Sequence, residues 1–293
     1  MGSLYAAPDR DRGKPVTLSQ QAVRALLPDR EADAHKGNFG KLLLLCGSRG
    51  YTGAAYLSAM GALRSGAGLV FLEVPECIYA IEATKLNEAI VFPLPDQDGT
   101  ISAAAIPEIA KRLPQMDAVL LGCGLGLSKG SEAMVCWALS NVQCPLVLDA
   151  DGITLAAQHM DLLRGRTGIT ILTPHAGEFA RLGFSAQGQQ EAAEQAAREL
   201  GCIIVLKGHR TCITDGTRTY INPTGNPGMA VGGSGDVLAG IITALLEQRL
   251  PPLEAAACGC WVHGAAGDVC AKRLGQYGML PTDMLEVLPR LLK

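Results

Sequence analysis

The 293-residue sequence predicts an α/β fold with a central, mostly parallel sheet and helices on both faces. Three observations predict it. Short apolar runs alternate with helical patterns from Gly40 almost to the C-terminus, which is the grammar of βαβ units. Several runs, such as Leu42-Leu43-Leu44-Leu45 and Ile203-Ile204-Val205-Leu206, are apolar at every position, as strands buried on both faces of a parallel sheet must be. Glycine fills 35 of 293 positions, about 12% against an average near 7%, and many of these glycines lie between an apolar run and the next helical pattern.

The elements follow in order. Leu18 to Leu27 reads as a short amphipathic helix capped by Thr17 or Ser19. Strands are expected at 41–46, 68–74, 89–92, 117–121, 145–149, 169–172 and 202–206, each a short run bounded by turn residues. Helices are expected at 53–66, 102–113, 128–141, 152–164, 189–200, 234–247, 252–273 and 282–292. Asp215-Gly216 between 210–214 and 218–222 predicts a hairpin. No repeat or low-complexity linker interrupts the pattern. One domain spanning 1–293 is therefore expected, with 1–19 as a flexible extension.

Composition excludes several classes. Hydrophobic residues make up 48% and charged residues 18%, so the chain can bury a core and disorder is not its general state. No apolar run approaches the ~20 residues that span a bilayer. A net charge of −3 leaves no basic footprint for nucleic acid. The ten cysteines sit largely in apolar runs, and no apolar signal core precedes them. Free thiols in a cytoplasmic protein are expected. A metal site from Cys258, Cys260, His263 and Cys270 is the weaker alternative, because the spacing matches no familiar zinc pattern and Trp261-Val262 reads as helix core.

In doubly wound sheets, ligands bind beyond the carboxyl ends of the strands. The loops 47–53, 122–128, 173–178, 207–211 and 223–236 lie there. The most informative is Gly232-Gly233-Ser234-Gly235-Asp236, which opens the long apolar helix pattern of Val237 to Leu246. Glycines at a helix start leave backbone amides bare, and with the helix dipole they form an anion site. Asp236 in the first turn is either a helix-stabilising charge or a general base on a hydroxyl that attacks a phosphate. Lys207-Gly208-His209-Arg210-Thr211 offers two cations to nucleotide phosphates or ribose; the alternative is a solvated turn. His175 and Glu178 in Thr173-Pro174-His175-Ala176-Gly177-Glu178 either share one face of a helix or cap it. Asp149 and Asp151 follow a strand and are candidates for magnesium, with helix capping an equal alternative for Asp151.

These motifs, together with His35-Lys36-Gly37-Asn38-Phe39-Gly40, Gly53-Ala54-Ala55, Gly122-Cys123-Gly124-Leu125-Gly126 and Asn222-Pro223-Thr224-Gly225-Asn226, resemble the ADP-dependent NAD(P)H-hydrate dehydratase family. The resemblance covers roughly residues 20–292. It implies a ribokinase-like, three-layer α/β/α fold and a repair reaction. Hydrated NADH or NADPH would be phosphorylated on its ring hydroxyl by ADP, or ATP, and would then lose phosphate. The resemblance places Asp236 as the base and the amides of Gly233, Ser234 and Gly235 on the transferring phosphate. It places Lys207, Gly208, His209, Arg210, Thr211 and Gly235 at the adenine nucleotide. Ala54 or Ala55, Gly124, His175 and Asp236 would meet the hydrated cofactor. Magnesium is expected with the diphosphate donor, and its ligands are left open. Many relatives carry a fused epimerase domain; no epimerase domain is expected here, so epimerisation should be absent or carried by another chain. A homo-oligomer, specifically a homotetramer, is expected. The competing reading is a ribokinase-like kinase of a vitamin precursor.

Overall fold

A computed structural model describes residues 14–27 and 39–292. His35 to Asn38 of the motif set and residues 1–13 of the expected extension lie outside these. Within 14–19, Val16–Thr17 (β1) pairs in parallel with the hairpin strand Thr219–Ile221 (β12) at the sheet edge. Ser19 then caps Gln20–Leu26 (α1), its hydroxyl accepting from the Ala22 amide at 3.2 Å.

Ten strands form one sheet. The parallel set comprises Lys41–Leu45 (β2), Leu69–Pro75 (β3), Ile90–Leu94 (β4), Ala118–Leu121 (β7), Leu146–Leu148 (β8), Thr170–Leu172 (β9) and Ile203–Leu206 (β10). Cys212–Thr214 (β11) and β12 form the expected hairpin and pair antiparallel. The order is β1-β12-β11-β10-β9-β8-β7-β2-β3-β4. From β2 the chain moves outward to β3 and β4, then returns to β7 and runs the other way. The switch point therefore lies between β2 and β7, where the rule for open α/β sheets places a ligand.

Alternate side chains of each strand feed two cores. Leu42 and Leu44 of β2 pack under one face with Thr52–Arg64 (α2), Ser234–Glu247 (α10) and Pro252–Leu274 (α11). Leu43 and Leu45 pack under the other with Lys129–Asn141 (α5) and Gln189–Leu200 (α9). This alternation explains why the strands read as apolar throughout. In α9 the buried residues Ala193, Ala196, Ala197 and Leu200 fall on one stripe, and Gly201 ends the helix in the left-handed region. Helices α2 and α10 approach closely: a Cβ on Gly240 would lie 2.2 Å from the Ser58 carbonyl.

Several expected elements differ. The helix expected at 152–164 is two, Asp151–Ala156 (α6) and Met160–Gly165 (α7). The one at 102–113 is a 3-10 turn followed by Ile106–Arg112 (α4), and the last is Pro281–Val287 (α12) followed by a 3-10 turn. Glu76–Lys85 (α3) and the small hairpin of Asp96–Gln97 (β5) and Thr100–Ile101 (β6) were not foreseen as elements, and Ala176–Arg181 (α8) was expected only as the helix that His175 and Glu178 share or cap, without bounds. Helix α3 buries only Ile78 and Glu82, and α8 spans six residues, so neither leaves a readable apolar period.

Candidate active site

The loops beyond the carboxyl ends are tied strand to strand. After β2, the Gly47 amide donates to the Cys123 carbonyl and the Ser48 hydroxyl to the Gly124 carbonyl, both at 2.8 Å. Asp151, in the first turn of α6, accepts from the Gly126 amide at 2.8 Å. It therefore ties the loop after β7 to α6 instead of capping its own helix. Gly122 has φ +130°, and a Cβ there would lie 2.1 Å from the Asp149 carbonyl. Only glycine lets the β7 and β8 loops meet this closely.

Asp149, at the end of β8, is 2% exposed. Its Oδ1 accepts from the Thr173 hydroxyl at 2.6 Å and from Lys207 Nζ at 2.9 Å. The Lys207 ammonium also lies 3.7 Å from Glu178. Burial would lower the Lys207 pKa, but the carboxylates of Asp149 and Glu178 together outweigh it and raise it, so the cation persists. The sequence offered Lys207 to nucleotide phosphates or ribose, with a solvated turn as the alternative; the structure turns its side chain inward onto Asp149 and Glu178. Gly208, His209 and Arg210 are exposed, while Thr211 closes the turn onto the Gly208 carbonyl at 3.2 Å.

The Gly232–Asp236 segment forms the expected helix start. Gly233 is the N-cap in the left-handed region, and Asp236 lies in the first turn of α10. The Ser234 amide bonds the Val231 carbonyl at 3.3 Å, and the Ser234 side chain is buried. First-turn amides have no intrahelical acceptor, so the open donors are those of Gly235 and Asp236. Gly235 sits beside Lys207, whose Nζ would be 3.5 Å from a Cβ at that position.

Cys123, Asp149 and Asp236 each bring a donor atom within 4.8 Å of the others, and among the described residues this is the group close enough to share a metal ion. Cys258, Cys260, His263 and Cys270 do not form such a group, because the three cysteines lie in the apolar core along α11 while His263 turns to the Ser234 hydroxyl. Burial first, then the charge of Asp149, raises the Asp236 carboxyl from 3.8 to about 6. At neutral pH it remains mostly ionised, at a basicity suited to proton transfer. The Cys46 thiol, burial and the neighbouring carboxylates hold the Cys123 thiol well above its usual range.

Across the switch point, Ala54 near the start of α2 faces Gly124: a Cβ on Gly124, at φ +61°, would lie 2.7 Å from the Ala54 Cβ. Ala55 is fully buried beneath Gly47, so of the two alanines it is Ala54 that faces Gly124. His175 is the N-cap of α8. Its Nδ1 accepts from the Gly177 amide at 2.9 Å, and Glu178 returns a bond to the His175 amide at 2.8 Å, completing a capping box. The His175 side chain stays 56% exposed beside the Lys207 network.

The strand order, with a glycine-turned helix start and an aspartate in its first turn, defines a ribokinase-like protein. The profile of the NAD(P)H-hydrate dehydratase family matches residues 42–290, and the chain belongs to that family. A bifunctional NAD(P)H-hydrate repair enzyme Nnr from Moorella thermoacetica is 44% identical over 94% of this chain and 53% of its own. The chain thus spans about half the length of the first curated relatives it matches. An ADP-dependent (S)-NAD(P)H-hydrate dehydratase from Cenarchaeum symbiosum is 36% identical over 94% of this chain and 96% of its own. The structure of an ADP/ATP-dependent NAD(P)H-hydrate dehydratase from Bacillus subtilis, co-crystallized with ATP/Mg2+, superposes with TM-score 0.82 at 30% identity, covering 95% of this chain and 98% of that one.

Proposed function

We propose that this protein dehydrates hydrated NADH or NADPH at the expense of ADP, restoring the reduced cofactor and releasing AMP and phosphate. The observation that carries the reading is the placement of Asp236, a carboxyl raised to about 6, beside the open amides of α10 and within 4.8 Å of donor atoms of Asp149 and of Cys123, the neighbour of Gly124. Family membership supports the substrate class.

In this reading Asp236 takes the proton of the ring hydroxyl as it attacks the terminal phosphorus of ADP. The amides of Gly235 and Asp236, with Lys207, stabilise charge on the transferring phosphoryl group. Gly233 and Ser234 shape that turn, while Gly208, His209, Arg210 and Thr211 meet the adenine nucleotide. Ala54, Gly124 and His175 hold the hydrated cofactor. Hydroxide is a poor leaving group and phosphate a good one; the ring nitrogen pushes electrons as phosphate departs, and loss of a ring proton restores the double bond.

Magnesium fits the donor set through its oxygens. Asp149 Oδ1 is engaged by Lys207 and Thr173 while its Oδ2 accepts only the weak Cys123 thiol donor at 3.5 Å, so Oδ2 and the donor phosphates would hold the ion, whereas the Cys123 thiol is too soft a ligand. When bound, the ion neutralises phosphate charge. The reading extends to a homotetramer in a reducing, cytoplasmic setting, where ten free thiols persist. Among the described residues no helix is long and apolar enough to cross a membrane.

The test is product analysis. Hydrated NADH, ADP and magnesium should give NADH, AMP and phosphate in equal amounts. A stable phosphorylated product of a vitamin-precursor alcohol, with no turnover of the hydrate, would establish the kinase reading instead.

A further inference from the structure

The face of α11 that the mechanism leaves unused serves as a mould for the loop leading to the catalytic turn. The Asn222 side-chain Nδ2 donates to the Cys260 carbonyl at 3.1 Å, and the Thr224 hydroxyl to the Trp261 carbonyl at 2.9 Å. Asp268 accepts from the Gly225 amide and from the Asn226 side chain, both at 3.0 Å. Gly264 is required by this contact, since a Cβ there would lie 2.2 Å from the Thr224 hydroxyl. One further side chain of the same helix reaches past the loop. His263, 8% exposed, places its Nε2 3.3 Å from the Ser234 hydroxyl, itself 8% exposed.

We propose that His263 is a positioning residue: its imidazole fixes Ser234 and so aims the amides of Gly235 and Asp236 at the donor phosphate. The proposal rests on the reading that this turn takes the phosphates of ADP. The ring suits the task because it is neutral. Burial, opposed by a hydrogen bond at Ser234 and reinforced by the nearby Lys207 charge, lowers its pKa to about 4. In the tautomer with its proton on Nδ1, Nε2 accepts the Ser234 hydroxyl proton. The Ser234 amide is held by the Val231 carbonyl at 3.3 Å, and the His263 contact adds a second restraint at the side-chain end of the same residue. A wrongly aimed amide weakens an oxyanion contact that depends on geometry.

The experiment is titration of ADP with magnesium into wild type, His263→Leu, His263→Gln, Ser234→Ala and the double variant His263→Gln/Ser234→Ala. Loss of one buried hydrogen bond should weaken ADP binding about tenfold in His263→Leu and in Ser234→Ala. His263→Gln, whose amide oxygen can stand where Nε2 stood, should remain within about threefold of wild type. The double variant should be no weaker than Ser234→Ala, because His263 acts through that hydroxyl. Should His263→Leu not fold, Ser234→Ala and the double variant decide. Unchanged ADP binding in Ser234→Ala, or additive losses in the double variant, overturns the positioning role alone. Absence of ADP binding by the wild type overturns the functional reading and this inference with it.

Discussion

Lys207 and Asp149 form a buried ion pair, Nζ to Oδ1 at 2.9 Å, that joins β10 to β8 beneath the catalytic turn. Thr173 and Glu178 complete it from the intervening β9 loop. Three neighbouring strands are thus locked at their carboxyl ends by one cation, and the same cation lies beside Gly235.

Removing that cation leaves two buried carboxylates unpaired. Lys207→Met should lose about 3–5 kcal/mol of stability, read by denaturant unfolding. Stability within error of wild type would show that the pair holds nothing.

The Asp236 carboxyl at about 6 sets the acid limb of the rate profile. As a base it works ionised, so turnover should fall about tenfold per unit below pH 6 and level off above it. Lys207 lowers the Asp236 pKa, so in Lys207→Met the limb should move to higher pH. A profile flat from pH 5 to 7 would remove Asp236 as the titrating base.

Asp236 also carries a stability cost. Its folded pKa is raised, so its favourable contribution is full below 3.8 and lost as pH rises through about 6. Asp236→Asn should therefore stabilise the fold above pH 6, by about 1–3 kcal/mol at most, and the gain should vanish toward pH 4. Its turnover should drop about 10²–10⁴-fold while ADP binding stays near normal. A pH-independent stability difference would contradict the assignment.

Much of this site was legible in the sequence, because strand-to-helix loops in a parallel sheet must hold the ligand. The glycine-aspartate turn and the 173–178 loop were found on that logic, and Ser19 was one of the two caps named. What escaped notice depends on contacts distant in sequence. Lys207 and Asp149 are 58 residues apart, so nothing local shows that they pair. His263 read as helix core or a weak metal ligand, since its partner Ser234 lies 29 residues away. Ala54 and Ala55 are adjacent and identical in type, and only the helix phase of α2 decides which faces Gly124. Helix α8 is short and begins with a histidine cap, so its start lacks the usual Ser, Thr or Asp signal.

Gly124 packs directly against Ala54, where the proposed function puts the hydrated cofactor. Gly124→Ala would place a Cβ 2.7 Å from that of Ala54 in a left-handed conformation. It should raise KM for the hydrated cofactor at least about tenfold, with ADP binding little changed. An equal loss of ADP affinity would show that the two sites are not separate.

The most direct test is recovery of reduced-nicotinamide absorbance from hydrated NADH in the presence of ADP and magnesium, in wild type and Asp236→Asn side by side. The structure predicts recovery that requires ADP in wild type and is nearly absent in Asp236→Asn, with AMP formed in step. Recovery without nucleotide, no recovery in wild type, or full turnover in Asp236→Asn would contradict it.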